Sequence, residues 1–175
     1  LPDIAVGAVG ELDLLGQPIL RDPLLAGRLR LELAQGREHQ SGRRAAGVER
    51  VGIAECGILT ALTLGQRFGV ISILRKSIPR HLRYVGQMGL NDRMAGDRAI
   101  GLGVVELSDE ARTFSRMAEV AAELRDADGA DVLIMGCAGM ARYRDRLQRH
   151  VGLPVVEPSQ AAVSMAIGRT RLAWG

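Results

Sequence analysis

The apolar and polar positions from Val51 onward alternate between the spacing of strands and the spacing of helices. Short apolar or β-branched runs predict strands at residues 51–54, 68–73, 100–105, 131–135 and 154–156. Segments with helical spacing follow them at residues 56–66, from Ser77, and at residues 109–127, 141–150 and 158–169. Strands that alternate with helices of this length predict an α/β fold, a parallel sheet with flanking helices.

Two of the helix starts carry local signals. Ser77 is expected to cap a helix that has Pro79 in its first turn. Ser108 precedes Asp109 and Glu110, acids that the N-terminus of a helix favours. Both starts come shortly after a predicted strand, as βαβ units require.

Residues 1–50 show neither spacing. Gly, Pro and Leu recur there irregularly, and residues 37–50 are polar and include the pair Arg43 and Arg44. A helix at residues 24–34 would be only loosely amphipathic. We therefore expect an atypical N-terminal segment at residues 1–50 and one α/β domain at residues 51–175.

The composition is typical of a globular protein with an interior of small side chains. Hydrophobic residues make up 47% and charged residues 25%, whereas aromatic residues make up 3% and there are 22 glycines. The net charge of +3 comes from 22 arginines and one lysine against 20 acids, so it reflects arginine usage rather than a basic surface. No nucleic-acid partner is expected.

No apolar run reaches the roughly 18 residues that a membrane helix needs, and the first residues lack the features of a signal peptide. We therefore expect no membrane partner and a cytoplasmic location. The two cysteines, Cys56 and Cys137, lie far apart, which disfavours both a disulfide framework and a zinc site. Reduced thiols are expected.

Ligands of an open parallel sheet bind beyond the carboxyl ends of its strands. The sequence predicts four strand-to-helix loops there, at residues 72–77, 106–108, 136–140 and 157–160. Only the third contains a strong nucleophile, Cys137. At the start of a helix a thiol faces N–H groups that have no intrahelical partner, and these favour its thiolate.

The backbone around Cys137 suits an anion. Gly136 and Gly139 allow a substrate to approach closely, and the amides of Ala138, Gly139 and Met140 are expected to hold a carboxylate or an enolate oxygen. A buried cysteine in a tight turn would show the same spacing, because cysteine is among the most buried residue types. The spacing alone leaves both interpretations open.

Other polar side chains near these loops also have two interpretations. Three serines are placed to donate to a substrate carboxylate, and equally well placed as turn or cap residues: Ser72, Ser77 and Ser159. Three histidines are isolated in the sequence and expected at the surface: His39, His81 and His150. His81 follows Ser77 by one helical turn and is the best placed of them for acid–base chemistry.

Four segments resemble one family of enzymes. Residues 130–141, ADVLIMGCAGMA, resemble the second catalytic-cysteine motif of the Asp/Glu/hydantoin racemase family. Residues 153–163, LPVVEPSQAAV, are similar to its closing strand and helix, and residues 51–55, VGIAE, to the strand that ends its first lobe. With residues 68–72, FGVIS, the resemblance extends over most of residues 51–172.

The resemblance implies two α/β lobes that hold a substrate between two facing cysteines. One cysteine removes the α-proton and the other returns a proton on the opposite face, without pyridoxal phosphate, another cofactor or a metal. Cys137 matches the second cysteine, but no cysteine precedes Cys56, which we expect to be a packing residue. Residues 1–50 would then be an incomplete first lobe, a remnant or a mis-framed replacement, since GC-rich DNA read out of frame yields arginine-rich and glycine-rich sequence.

The resemblance therefore implies a cofactor-independent racemase or isomerase that acts at a carbon next to a carbonyl. Its partner would be a small carboxylate or hydantoin-like substrate: a hydantoin, an allantoin-like ureide or an acidic amino acid. A homo-oligomer is left open. Two alternatives are a single-cysteine decarboxylase of the arylmalonate type and a non-catalytic remnant of the family. The similarity around Cys137 and Ser159 disfavours the first, and the intact Gly-Cys-Ala-Gly loop disfavours the second.

Overall fold

The structure is a computed structural model that describes residues 51–103 and 105–172. The strands are β1 Phe68–Ser72, β2 Met94–Ala99, β3 Val132–Met135 and β4 Val155–Val156. The α-helices are α1 Ile53–Leu64, α2 Ile78–Gln87, α3 Glu110–Asp126, α4 Arg144–Val151 and α5 Pro158–Arg171. Short 3₁₀ segments are Arg75–Ser77, Asn91–Arg93, Val105–Ser108 and Ala138–Tyr143. One compact unit spans Val51–Gly168.

The four strands form one parallel sheet in the order β2-β1-β3-β4. In the centre of the sheet Phe68 pairs with Val132 and Ile71 with Met135. Every residue of β1 and β3 is buried, as expected for strands covered by helices on both faces. The predicted α/β fold is therefore confirmed, as are the strands predicted at residues 68–73, 131–135 and 154–156.

The main apolar cluster of the described residues lies between the sheet and helices α3 and α4. Its members include buried side chains of β1, α3, β3 and α4: Ile71, Met117, Leu124, Leu133 and Leu147. At the amino end of the sheet, the Asp131 carboxylate accepts hydrogen bonds from the amides of Gln66 (2.8 Å) and Arg67 (2.9 Å). These two hydrogen bonds hold the start of β1 beside the start of β3.

The strand predicted at residues 100–105 is wrong, because β2 lies just before it at Met94–Ala99. The sequence MAGDRA looks polar, yet β2 is an edge strand whose charged side chains find partners elsewhere in the fold. Arg98 pairs with Asp128, and Asp97 contacts Ser72. Ile100 is buried where the chain leaves the sheet, and its amide donates to the Ser72 carbonyl over 2.9 Å.

The strand predicted at residues 51–54 is also wrong. Helix α1 begins there, at Ile53, and the Cys56 amide donates to the Gly52 carbonyl over 2.9 Å. A run of four apolar residues does not distinguish a strand from the first turn of a helix, and the helical spacing that follows decides the outcome. Cys56 is buried, which confirms its predicted packing position.

The helix starts differ in detail from the prediction. Asp109 caps α3 by accepting from the Arg112 amide over 3.0 Å, whereas Ser77 lies before α2 with helical dihedrals and no side-chain cap. The helix predicted at residues 141–150 begins as the 3₁₀ turn Ala138–Tyr143 and continues as α4. The expected segment at residues 1–50, with its helix at 24–34 and His39, lies outside the described residues.

Candidate active site

The carboxyl end of β3 approaches β1 so closely that only glycine fits at position 136. The Gly136 amide donates to the Ile71 carbonyl over 2.8 Å. A Cβ atom at Gly136 would lie 2.8 Å from that carbonyl oxygen and 3.3 Å from the Cα of Ser72. The glycine therefore has a packing reason of its own, and it delivers Cys137 directly beyond the sheet.

Cys137 lies at the turn between β3 and the 3₁₀ segment Ala138–Tyr143. Its backbone is extended, with φ −151° and ψ 133°, and its Sγ accepts a hydrogen bond from the Gly139 amide at 3.4 Å. The side chain is partly buried against the main apolar cluster. The predicted geometry, a thiol at a strand-to-helix turn within reach of the Gly139 amide, is confirmed.

The three backbone amides predicted to hold an anion at this turn differ in exposure and in hydrogen bonding. Ala138 and Gly139 are exposed. Met140 is buried, and its amide donates to the Cys137 carbonyl over 3.1 Å. The 3₁₀ turn thus uses the Met140 amide itself, and the predicted contact of that amide with an anion stays a prediction.

Two side chains beyond the turn fix it to the loop between β2 and α3. The Tyr143 hydroxyl donates to the Leu107 carbonyl over 3.1 Å, and Arg142 donates to the same carbonyl over 2.6 Å. The Arg142 guanidinium also lies 4.9 Å from the centre of the Tyr143 ring. Sequence reasoning missed these residues because nothing in the local pattern points to a carbonyl more than thirty positions away.

The predicted serines are placed differently from one another. Ser72 is fully buried and its hydroxyl donates to Asp97 over 2.5 Å, so this hydroxyl is engaged inside the protein and its predicted contact with a substrate stays a prediction. Ser77 lies directly before α2 and Ser159 lies in the first turn of α5, and both are partly buried. Their predicted contact with a substrate stays a prediction.

The N-terminus of α5 is occupied by a side chain of the protein. Glu157, 3% exposed, accepts hydrogen bonds from the amides of Ser159 (3.0 Å) and Gln160 (2.8 Å). These donors are therefore committed to a cap. At the carboxyl edge of the sheet, the Gly139 amide directed at Cys137 is the donor that fits the predicted thiolate chemistry.

His81 is not isolated, as its position in the sequence suggested. Its Nδ1 lies 2.7 Å from an Asp97 carboxylate oxygen and 3.2 Å from the Ser72 hydroxyl. His150 is exposed as predicted, with its ring edge-on to Phe114 at a centroid distance of 5.6 Å. Asp97 had no signal in the sequence, since its strand was not predicted.

This arrangement of a glycine-flanked thiol at the carboxyl edge of a parallel sheet agrees with the sequence comparison. The sequence profile described as Asp/Glu/Hydantoin racemase matches residues 40–166. The chain belongs to the Asp/Glu/hydantoin racemase family. The match includes all four strands of the sheet and the cysteine turn.

Among curated members of the family, the hydantoin racemase of Rhizobium meliloti is 36% identical over 117 residues, which are 66% of this chain and 48% of that protein. The hydantoin racemase of Paenarthrobacter aurescens is 33% identical over 66% of this chain and 50% of that protein. The chain thus spans about half the length of these relatives.

Solved structures of the family show the same fold. The allantoin racemase of Pseudomonas fluorescens superimposes with a TM-score of 0.69 at 32% identity, over 72% of this chain and 54% of that one. A mutant arylmalonate decarboxylase with sulfate superimposes with a TM-score of 0.57 at 22% identity, over 76% of this chain and 57% of that one. The second likeness shows the fold alone.

The racemase-family chain offers no metal site in the part that the structure describes, where no three His, Cys, Asp or Glu side chains cluster suitably. Nor does any helix of these residues have the length and apolar character needed to cross a membrane. A separate electrostatic feature lies beside β2, at the ion pair of Arg98 with Asp128. Hydrogen bonds from Arg98, more than its charge, hold the pKa of the Asp128 carboxyl below its usual range.

Proposed function

We propose that this chain is a racemase-type isomerase in which Cys137 exchanges a proton at a ring carbon next to a carbonyl. The observation that carries the proposal is the Cys137 Sγ at the carboxyl edge of the sheet, 3.4 Å from the Gly139 amide. Membership of the racemase family supports it. A backbone N–H directed at sulfur favours negative charge there, and the thiolate is the form that removes protons.

The chemistry needs a thiolate and a carbon acid. The thiolate takes the proton from carbon, and the bonding electron pair is delocalised onto the neighbouring carbonyl oxygen as an enolate. When the same thiol returns a proton to the face that it contacts, hydrogen is exchanged with retention, so racemisation also requires a second acid–base group on the opposite face. The reaction as proposed uses protein side chains as acid and base and requires neither pyridoxal phosphate nor a metal. A reduced thiol fits the cytoplasm, where we propose that the protein acts.

A hydantoin or a related ureide ring is the substrate class that we favour. Two hydantoin racemases and one allantoin racemase are each more than 30% identical to this chain. The glutamate racemase of Bacillus anthracis is 16% identical and an arylmalonate decarboxylase is 22% identical, so these two likenesses do not favour an acidic amino acid or a malonate here. The neutral ring substrate is therefore the first one to test.

The test is deuterium uptake from heavy water into each pure enantiomer of a 5-substituted hydantoin and of allantoin. The intact chain should label the carbon next to the carbonyl, and Cys137→Ser should lower the rate by about a hundredfold or more, the usual contribution of an acid–base group. Cys56→Ser is the matched control, because Cys56 is buried in α1. Labelling that survives Cys137→Ser would overturn the proposal.

A further inference from the structure

A polar cluster joins β1, β2 and α2 near the carboxyl edge of the sheet and has no part in the thiol chemistry described so far. It consists of Ser72, His81 and Asp97. Asp97 accepts from the Ser72 hydroxyl through one carboxylate oxygen and from His81 Nδ1 through the other, at 2.7 Å. The Asp97 side chain is 1% exposed, so both oxygens are satisfied inside the protein.

The two nitrogens of His81 are in different surroundings. Nδ1 faces Asp97 and Ser72, whereas Nε2 has no hydrogen-bond partner among the described residues. In that part of the chain no buried side-chain nitrogen or oxygen lacks a partner, so Nε2 must reach the surface. The 20% exposure of the His81 side chain agrees with this.

This arrangement is suited to proton transfer and not to a serine nucleophile. A carboxylate that accepts from Nδ1–H fixes the tautomer, leaves Nε2 to take or give a proton, and stabilises the imidazolium. In a nucleophilic triad the serine would contact the other nitrogen. Here Ser72 lies beside Nδ1 and is fully buried, so it supports Asp97 instead.

The polar cluster and the Cys137 thiol both lie near the carboxyl edge of the sheet, but on opposite faces of it. Cys137 packs against the apolar cluster that contains Ile71. Ser72 follows Ile71, so its side chain points to the other face, where it meets Asp97 and His81 of helix α2. A Cβ at Gly136, the residue before Cys137, would lie 3.3 Å from the Cα of Ser72, so the backbone that carries the thiol is adjacent to the backbone that carries the Ser72 end of the cluster.

We infer that His81, oriented by Asp97, is a second proton-transfer group that works with Cys137 on the opposite face of the substrate. The inference rests on the proposed function. In one direction the Cys137 thiolate takes the proton from carbon, and His81 Nε2–H gives its proton to the other face of the enolate. The products are a thiol, a neutral imidazole and the inverted carbon, and the reverse direction runs through these forms. Exchange with water restores the starting pair.

The test separates inversion from exchange with retention. The full chain is incubated with each enantiomer of a 5-substituted hydantoin in heavy water, and chirality and deuterium content are followed together. The intact chain should give deuterated, inverted product. His81→Gln should lower the inversion rate by about a hundredfold while retentive exchange at the face of Cys137 continues. Asp97→Asn should act in the same direction.

Two controls separate a catalytic role from a structural one. His150→Gln replaces an exposed histidine of α4 and should change neither rate. Ser72→Ala keeps the Asp97 carboxylate and should change inversion by less than about tenfold, one hydrogen bond being worth roughly 1 kcal/mol. Unchanged inversion in His81→Gln, or an equal fall of inversion and retentive exchange, would overturn the role of His81 and leave that of Cys137 standing. No exchange at all by the intact chain would contradict the proposed function and this role with it.

Discussion

The centre and the edge of the sheet hold their reactive groups by different means. Between β1 and β3 the backbones touch, every side chain is buried, and Cys137 is positioned by a glycine contact and a 3₁₀ turn. At β2 each residue as a whole is only partly buried, although the Asp97 side chain is covered, and His81 is positioned by the 2.7 Å contact of its Nδ1 with the Asp97 carboxylate. The thiol therefore depends on the shape of the backbone, and the imidazole depends on one carboxylate.

The strongest way to break the central arrangement is Gly136→Ala. Its Cβ would lie 2.8 Å from the Ile71 carbonyl oxygen, and backbone must shift to admit it. We expect a loss of about 1–3 kcal/mol in the free energy of unfolding. Exchange by Cys137 should fall about a hundredfold, as misplaced groups cost rate steeply. Urea unfolding and deuterium uptake measure the two effects.

The matched control for this substitution is Gly168→Ala in α5. A Cβ at Gly168 meets no atom of residues 51–103 or 105–172 within 4 Å, so the change should leave the exchange rate unaltered and stabilise the helix by up to about 1 kcal/mol. An equal loss of stability in both variants would mean that the contact at Gly136 is not what holds the turn.

A smaller effect is expected where the cysteine turn meets the loop before α3. Tyr143→Phe removes the hydrogen bond to the Leu107 carbonyl, which still accepts from Arg142. The free energy of unfolding should fall by about 1 kcal/mol. Ser108→Ala removes an exposed hydrogen bond to the Val105 carbonyl and should cost less. A larger loss in Ser108→Ala would contradict this account of the buried bond.

The smallest effect is expected at the Arg98–Asp128 pair beside β2. Both side chains are partly exposed, so Asp128→Asn should cost about 1 kcal/mol or less at pH 7. Because Arg98 lowers the pKa of Asp128, the stabilisation is complete above the ordinary aspartate pKa of about 3.9 and is lost as the pH falls through the lower pKa of the folded protein. Urea unfolding measured from pH 7 to pH 2 should therefore show that the unsubstituted chain and Asp128→Asn approach the same free energy of unfolding in acid. Asp92→Asn, an exposed acid, is the control, and an equal effect there would contradict the prediction.

The centre of the sheet was predictable from the sequence, and the edge was not. The runs around Ile71 and Leu133 are apolar because helices cover both faces, and such burial leaves a local signal. The cysteine turn follows from the same signal, since the glycines mark where strand β3 ends. β2 leaves no such signal because Asp97 and Arg98 are satisfied by residues far away in the chain. For the same reason the His81–Asp97 pair was missed.

The two hydrogen bonds to Asp131 at the amino end of the sheet bear on the speed of folding. They join Asp131 to residues that precede it by 64 and 65 positions, and the pairing of β1 with β3 begins beside them. The pairing of β1 with β3 closes a loop that contains β2, α2 and α3, and closing a loop of that length costs chain entropy before any contact compensates for it. We therefore expect slow refolding, with the meeting of these two strands as the late step and helix formation as an early one.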